Sequence, residues 1–324
     1  MKTELLPTPA DLSLPEIMSR FNNEESAVEY LEAIRWSNGI VCPHCKNDDQ
    51  SRFYKIKSNT AKKVRHGLRQ CAECKKQFRV TVGTIFEDSH IPLNTWLIAW
   101  YLICGAKKGM SALQLQRHLG LGSYRSAWFL AHRIRHAMQD PIFSEQLSGT
   151  VEVDETYVGG KEKRSFKNGV LKTGFTNKTP VVSLVERNGN KRSFVMRVTG
   201  KNVRAAIAEH VAATATVMTD DSAIYPQVSK THQHHSVNHS EKEYARMEGA
   251  VNVNTNTVES SFSLLKRGII GNFHHVSRKH LHRYMAEFDF RWNTRKEKDG
   301  QRTVKGIKKA EGKRLYYRPL TSNK

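Results

Sequence analysis

The sequence predicts a multidomain protein: a small cysteine-bearing domain and a helical region precede an α/β domain built on a mixed five-stranded sheet. Three observations predict it. Two Cys-x-x-Cys pairs, Cys42-Pro-His-Cys45 and Cys71-Ala-Glu-Cys74, stand 25 residues apart. Over residues 93–138 apolar residues recur at helical spacing, with one break at Gly120-Leu-Gly-Ser123. From Thr150 onward short apolar or alternating runs take over, interrupted by one helical segment and followed by two more helices. These changes of pattern set five segments: an N-terminal helical segment 1–38, the cysteine domain 39–82, a helical region 83–145, the α/β domain 146–296 and a basic tail 297–324.

Taken in order, residues 22–35 read as a helix. Asn23 caps it, Glu24 and Glu25 suit its positive end, and Val28, Leu31 and Ile34 form an apolar stripe. The four paired cysteines then match what a zinc ion needs, since each Cys-x-x-Cys turn delivers two thiolates and two turns complete a tetrahedron. Cys42, Cys45, Cys71 and Cys74 are therefore expected to hold one structural Zn2+ in a zinc ribbon. His44 lies inside the first turn, but four cysteines suffice. Cys104 sits in an apolar run and reads as core. From Arg52 to Arg79 ten Lys and Arg face a single acid, Glu73, with Phe53, Tyr54 and Phe78 interleaved, which reads as a phosphate-contacting surface.

In the helical region Ser111 is placed to cap one helix and Ser123 the next, on either side of the glycine turn. This is the plan of a helix-turn-helix, whose second helix carries Arg125, Arg133 and Arg135 opposite an apolar side of Trp128, Ala131, Ile134 and Met138. An ordinary helical hairpin fits the same pattern. Further on, strands are expected at Thr150–Asp154, Val181–Val185 and, after the turn Arg187-Asn-Gly-Asn190, Ser193–Val198. A helix over Asn202–Ala213, a strand over Ala215–Thr219 and a short strand over His234–Val237 follow, then helices over Thr257–Lys266 and Ser277–Thr294. The tail from Arg295 shows no strong periodicity.

Composition limits the function. Lys and Arg number 52 against 31 Asp and Glu, a formal net charge of +21, which points to a polyanionic partner, most simply nucleic acid. A hydrophobic content of 38%, with 13 Phe, 10 Tyr and 5 Trp, excludes wholesale disorder. The longest apolar run, Trp96–Cys104, is about half a membrane span, which argues against a transmembrane protein. The opening residues Met1-Lys-Thr-Glu-Leu-Leu-Pro7 lack the apolar core of a secretory signal, so a cytoplasmic, nucleoid-associated protein is expected. In that reducing setting five cysteines suggest metal rather than disulfides.

Three strands, a helix, a strand and then helices is the element order of a ribonuclease H-like domain. In that architecture carboxylates converge from the first strand, the end of the fourth strand and a later helix. An acid stands at each place: Asp154, with Glu152 and Glu155 adjacent; Asp220 and Asp221, after the apolar strand; and Glu259, soon after Asn252-Val-Asn-Thr-Asn256. Such a trio suits two hard divalent ions. Lys266, seven residues after Glu259, returns to the same helix face two turns on, placed to hold a phosphate.

The chain resembles prokaryotic insertion-sequence transposases of the DDE class, in the group related to Merlin elements. The resemblance rests on the two cysteine pairs with Val82-Gly-Thr-Ile-Phe-Glu-Asp-Ser89 and Ile91-Pro-Leu-Asn-Thr-Trp96. It continues through Val153-Asp-Glu-Thr-Tyr-Val-Gly-Gly160 and Thr219-Asp-Asp-Ser-Ala-Ile-Tyr225 with Val237-Asn-His239. It ends on Asn254–Gly268 and Arg291-Trp-Asn293. It implies that Asp154, Asp220 and Glu259 are catalytic carboxylates binding Mg2+ or Mn2+, with Asp221 as the fallback for Asp220 and Lys266 as companion. Some relatives place Asn at the third position, which keeps Asn256 as a weaker candidate. His239 is implied either to help shape the site or to be structural, and Phe262 stands where many relatives carry Trp. The implied activity is binding of an element's terminal inverted repeats, 3′-end cleavage, and strand transfer into target DNA by a homo-oligomer. A structure-specific nuclease or resolvase, and a non-catalytic DNA-binding regulator, are the alternatives.

Overall fold

The computed structural model describes residues 13–59, 61–62, 64–139, 145–160, 166–167, 170–171 and 178–321. The expected absence of a signal at residues 1–7 lies outside them. Two compact units emerge: one runs to Met138 and resumes at Lys296, and the other spans Gln139–Arg295. Among the described residues no helix is long and apolar enough to cross a membrane.

The first unit opens with α1 (Leu14–Arg20) and α2 (Glu24–Arg35). Asn23 caps α2 as expected, its Oδ1 accepting the Ser26 amide at 2.8 Å. Three very short strands, β1 (Phe53–Lys55), β2 (Arg69–Cys71) and β3 (Gln77–Phe78), make an antiparallel sheet around the cysteines. The aromatics of this segment are not all on the surface. Tyr54 is exposed, but Phe78 is buried, edge-on to Trp36 and Phe53, because so small a domain has few other side chains with which to build a core. Three of its cations are also engaged, in Arg52–Glu73, Arg69–Glu32 and Arg79–Glu24 pairs.

Helices α3 (Leu93–Gly105), α4 (Ala112–Leu119) and α5 (Tyr124–Met138) follow. Ser111 and Ser123 accept the amides of Gln114 and Ser126, and Gly120 ends α4 in the left-handed region at φ 62°, where glycine is the least strained residue. Helix α5 departs from the expectation of a groove-facing helix with Arg133 and Arg135 outward. Both are buried, at 4% and 1% exposure. The Arg133 guanidinium donates to the Glu87 carbonyl and lies over the Trp96 ring, while Arg135 donates to the Met110 carbonyl. They brace loops from inside, and only Arg125 of the three is exposed.

In the second unit β4 (Thr150–Val158) is central. After the small pair β5 (Phe166–Lys167) and β6 (Val170–Leu171) come β7 (Thr179–Glu186), β8 (Lys191–Val195), α6 (Gly200–His210), β9 (Thr216–Asp220) and β10 (Gln233–Val237). The sheet order is β10-β9-β4-β7-β8; the β4–β9 and β9–β10 pairs are parallel and the other two antiparallel, giving the mixed five-stranded sheet the sequence predicted. Asn188, at φ 62°, makes the β7–β8 turn. A hairpin of β11 (Ala245–Glu248) and β12 (Val251–Asn254) leads into α7 (Asn256–Gly268) and α8 (Leu281–Asn293). Val151, Val153, Leu184 and Val217 pack with Val203 and Ile207 of α6 on one face. Val181 and Val185 pack with Val258, Phe262 and Leu265 of α7 and Phe288 of α8 on the other. Both faces of the sheet are thus covered.

The chain then returns to the first unit. The tail is not devoid of periodic structure: α9 (Asp299–Lys308) docks along α3, and the short α10 (Tyr317–Thr321) follows. Gly306 lies so close to Trp100 that an added Cβ would stand 2.5 Å from a ring carbon, and Arg302 donates to the Cys104 carbonyl at 3.1 Å. Its buried residues are Gly300, Arg302, Thr303, Gly306 and Ile307, a face made mostly of small and polar types that hydrophobic periodicity does not register.

Candidate functional site

In the first unit the four expected cysteines converge. Their sulfurs all lie within 4.8 Å of one another, with Cys42 and Cys74 at 3.7 Å and Cys45 and Cys71 also at 3.7 Å. Zn–S bonds of about 2.3 Å in a tetrahedron put sulfurs about 3.8 Å apart, so the spacing fits one Zn2+. Each turn closes in the same way: the residue after the second cysteine, Lys46 or Lys75, takes a positive φ of 65° or 59°. The Cys74 amide donates to the Cys71 sulfur and lowers the Cys71 thiol to about 7, while, against a bond from the Asn47 amide, desolvation and the neighbouring thiols push Cys45 up to about 12, so without an ion the thiolate forms first at Cys71. His44 is exposed, its Nε2 3.4 Å from the Gln77 carbonyl oxygen. Cys104 is fully buried, as expected of a core residue.

In the second unit the acids are arranged by register. Strands β4 and β9 pair in parallel with Thr150 opposite Thr216 and Glu152 opposite Met218, an offset of 66 residues. Asp154 and Asp220 are separated by the same offset, so the register carried two residues further sets them at matching heights on neighbouring strands. Asp220 is the last residue of β9, level with Val237 of β10. Asn238 and His239 come next, and His239 Nε2 stands 3.3 Å from Glu259 Oε1.

The electrostatics of the three expected carboxylates are coupled. Burial raises the Asp154 carboxyl to about 7, and the negative charges of Glu155, Asp220 and Glu259 push the same way against a stabilising bond from the Glu155 amide. Burial likewise raises Asp220, which is tempered by the Ser222 amide donating to its Oδ1 at 3.1 Å and by the His239 charge. Among the described residues no Lys or Arg pairs with Asp154, Asp220 or Glu259. Hard carboxylate oxygens without a protein cation are the donor type a divalent ion takes, but among the described residues only the four cysteines are drawn close enough to hold an ion as they stand. Lys266 is exposed on the last turn of α7 and forms no ion pair with these acids, and Asp221 and Asn256 are exposed beside the cluster.

Three further residues hydrogen-bond around these acids without having drawn a role from the sequence. Glu152 is fully buried and accepts from Arg187 Nε, the Thr257 amide and hydroxyl, and the Val258 amide, at 2.7 to 2.9 Å. Tyr225, also buried, donates to Glu155 Oε2 at 2.6 Å. Thr255 donates to Glu259 Oε1 at 3.1 Å. One sequence signal was available: Glu152 sits between Val151 and Val153, where an unpaired acid is costly.

Residues 146–293 match the family described as the ISXO2-like transposase domain, and residues 22–77 match the transposase zinc-ribbon domain. A protein of the transposable element ISH50 from Halobacterium salinarum, itself described as uncharacterized, is 27% identical over 287 residues, which are 84% of this chain and 91% of that protein.

Proposed function

On the premise that the chain belongs to the insertion-sequence transposases, both matched domains being transposase domains, we propose that it cleaves the 3′ ends of its element and joins them to target DNA. The observation that carries the proposal is the parallel β4–β9 register that sets Asp154 level with Asp220, together with the repulsion that Asp220 and Glu259 exert on Asp154 and, among the described residues, the lack of a Lys or Arg paired with any of the three. The sheet order, with its parallel β4–β9 pair and helices on both faces, supports a ribonuclease H-like domain. These carboxylates would hold Mg2+ or Mn2+, which would supply activation of a water or 3′ hydroxyl and charge compensation at the leaving oxygen. Asp154 and Asp220 present their oxygens from neighbouring strands. Glu259 is held by the Thr255 hydroxyl and by His239. Lys266 is free to hold a DNA phosphate. The zinc ribbon and the α4–α5 pair, read as a helix-turn-helix, recognise the terminal inverted repeats. Two ends joined to one target require a homo-oligomer on DNA.

The test is an assay with purified protein, Mg2+ or Mn2+, and a labelled duplex spanning one end of the flanking element. Metal-dependent 3′ nicking and joined products, lost in Asp154→Asn and Glu259→Gln, are expected. Cleavage that never leads to joining makes the protein a nuclease. Binding without cleavage in either metal overturns the catalytic proposal and leaves a regulator.

A further inference from the structure

We propose that the other two acids of β4, Glu152 and Glu155, are positioning residues: Glu152 sets the helix that carries Glu259, and Glu155 sets the loop that follows Asp220. The inference rests on the reading of Asp154, Asp220 and Glu259 given above.

The first amides of a helix have no partner within it and are ordinarily met by the side chain at its N-cap. Thr255 occupies that position in α7 yet makes no capping bond. Instead Glu152 receives the amides of Thr257 and Val258, the second and third residues of the helix, from a different element. The Thr255 hydroxyl is thereby released to donate to Glu259 Oε1. Arg187 completes the clamp: besides pairing with Glu152, it donates to the carbonyls of Asn252 and Asn254 at 2.7 and 2.9 Å, which fixes the strand leading into α7. A carboxylate two residues from Asp154 thus sets both the height and the approach of the helix bearing Glu259.

Glu155 does the corresponding task on the other face of β4. Alternate residues of a strand point to opposite faces, so Glu155 lies with Val151 and Val153 on the side where Tyr225 is packed. The Tyr225 hydroxyl donates to Glu155, the Tyr225 amide donates to the Ser222 carbonyl at 3.0 Å, and the Ser222 amide donates to Asp220 Oδ1. The turn after Asp220 is therefore tied to the residue next to Asp154. Neither acid is placed as a metal ligand. The oxygens of Glu152 are taken by four donors in a closed interior, and Glu155 faces away from Asp154.

The experiment measures Mn2+ binding by the intact protein, from the electron paramagnetic resonance signal of free Mn2+, together with Mg2+-dependent cleavage and metal-free DNA binding. Tyr225→Phe keeps the ring and removes one donor; it is expected to weaken Mn2+ binding by about tenfold with metal-free DNA binding unchanged. Glu155→Gln, whose amide oxygen still accepts the Tyr225 hydroxyl, stays near wild type, and Glu155→Ala combined with Tyr225→Phe is no worse than either alone. Thr255→Val weakens Mn2+ binding without lowering the melting temperature, because Glu152 and not Thr255 caps α7; Glu152→Gln lowers both. Mn2+ affinity unchanged in Tyr225→Phe and Thr255→Val overturns the inference, as does a loss in Glu155→Gln as deep as in Asp154→Asn, which makes Glu155 a ligand. Asp154→Asn binding Mn2+ like wild type instead sinks the underlying site, and the two failures are told apart by that variant alone.

Discussion

Asp154 shows how a single carboxyl couples stability to chemistry. Its pKa of about 7 lies well above that of an ordinary aspartate, so between about pH 4 and pH 7 the folded chain holds a proton that the unfolded chain releases. A raised acid therefore removes stability as pH rises through that window, and the loss is complete above about pH 7. Glu155 and Asp220 are raised in the same direction. In Mg2+-free buffer the wild-type protein should lose melting temperature between about pH 4 and pH 7, and Asp154→Asn should lose distinctly less while melting higher at the upper pH. Equal pH dependence in the two proteins would show that Asp154 ionises freely. At this scale Asp220 was legible as a carboxylate closing an apolar strand, whereas Asp154, expected at the end of its strand, lies inside β4, which runs on to Val158. The role of Glu152 was not legible, since its partners Thr257 and Val258 are more than a hundred residues away and no local pattern connects them. Arg133 and Arg135 misled for the opposite reason: on a helix read alone they look like surface cations, and only packing shows that both are enclosed.

Elements with a strong period and a cap were readable in advance. Helices α2, α4 and α5 begin where Asn23, Ser111 and Ser123 place them, and β4, β7 and β9 follow their valines. The hairpin of β11 and β12 was missed because Ala245–Glu248 and Val251–Asn254 alternate too weakly to register. The ribbon stands apart among the elements, since its strands are two or three residues long and cannot hold themselves by backbone bonds. Metal binding and folding are then one process. Cys71→Ser should lower zinc content, read by atomic absorption, from one ion per chain to well below one. It should also remove the melting transition of the ribbon while leaving that of residues 139–295 in place. A full complement of zinc in this variant would mean the four sulfurs are not the ligands.

For the whole molecule the dominant quantity is the net charge of +21. Phosphate contacts release counterions, so duplex affinity should fall steeply with salt, with a log–log slope of about −5 or steeper by fluorescence anisotropy. A flat response would argue against phosphate contacts as the source of affinity. The path of the chain has a different consequence. The polypeptide leaves its first unit at Met138 and supplies the rest of it only from Lys296 onward. During synthesis the second unit emerges whole while the first still waits for α9 to cover Trp100 and for Arg302 to reach the Cys104 carbonyl. The order of completion is thus the reverse of the order of translation. A copy whose reading frame is cut short near its end keeps all three carboxylates and loses the closing helix of its first unit, so decay by truncation strikes the unit that holds the zinc ribbon before it touches the acids.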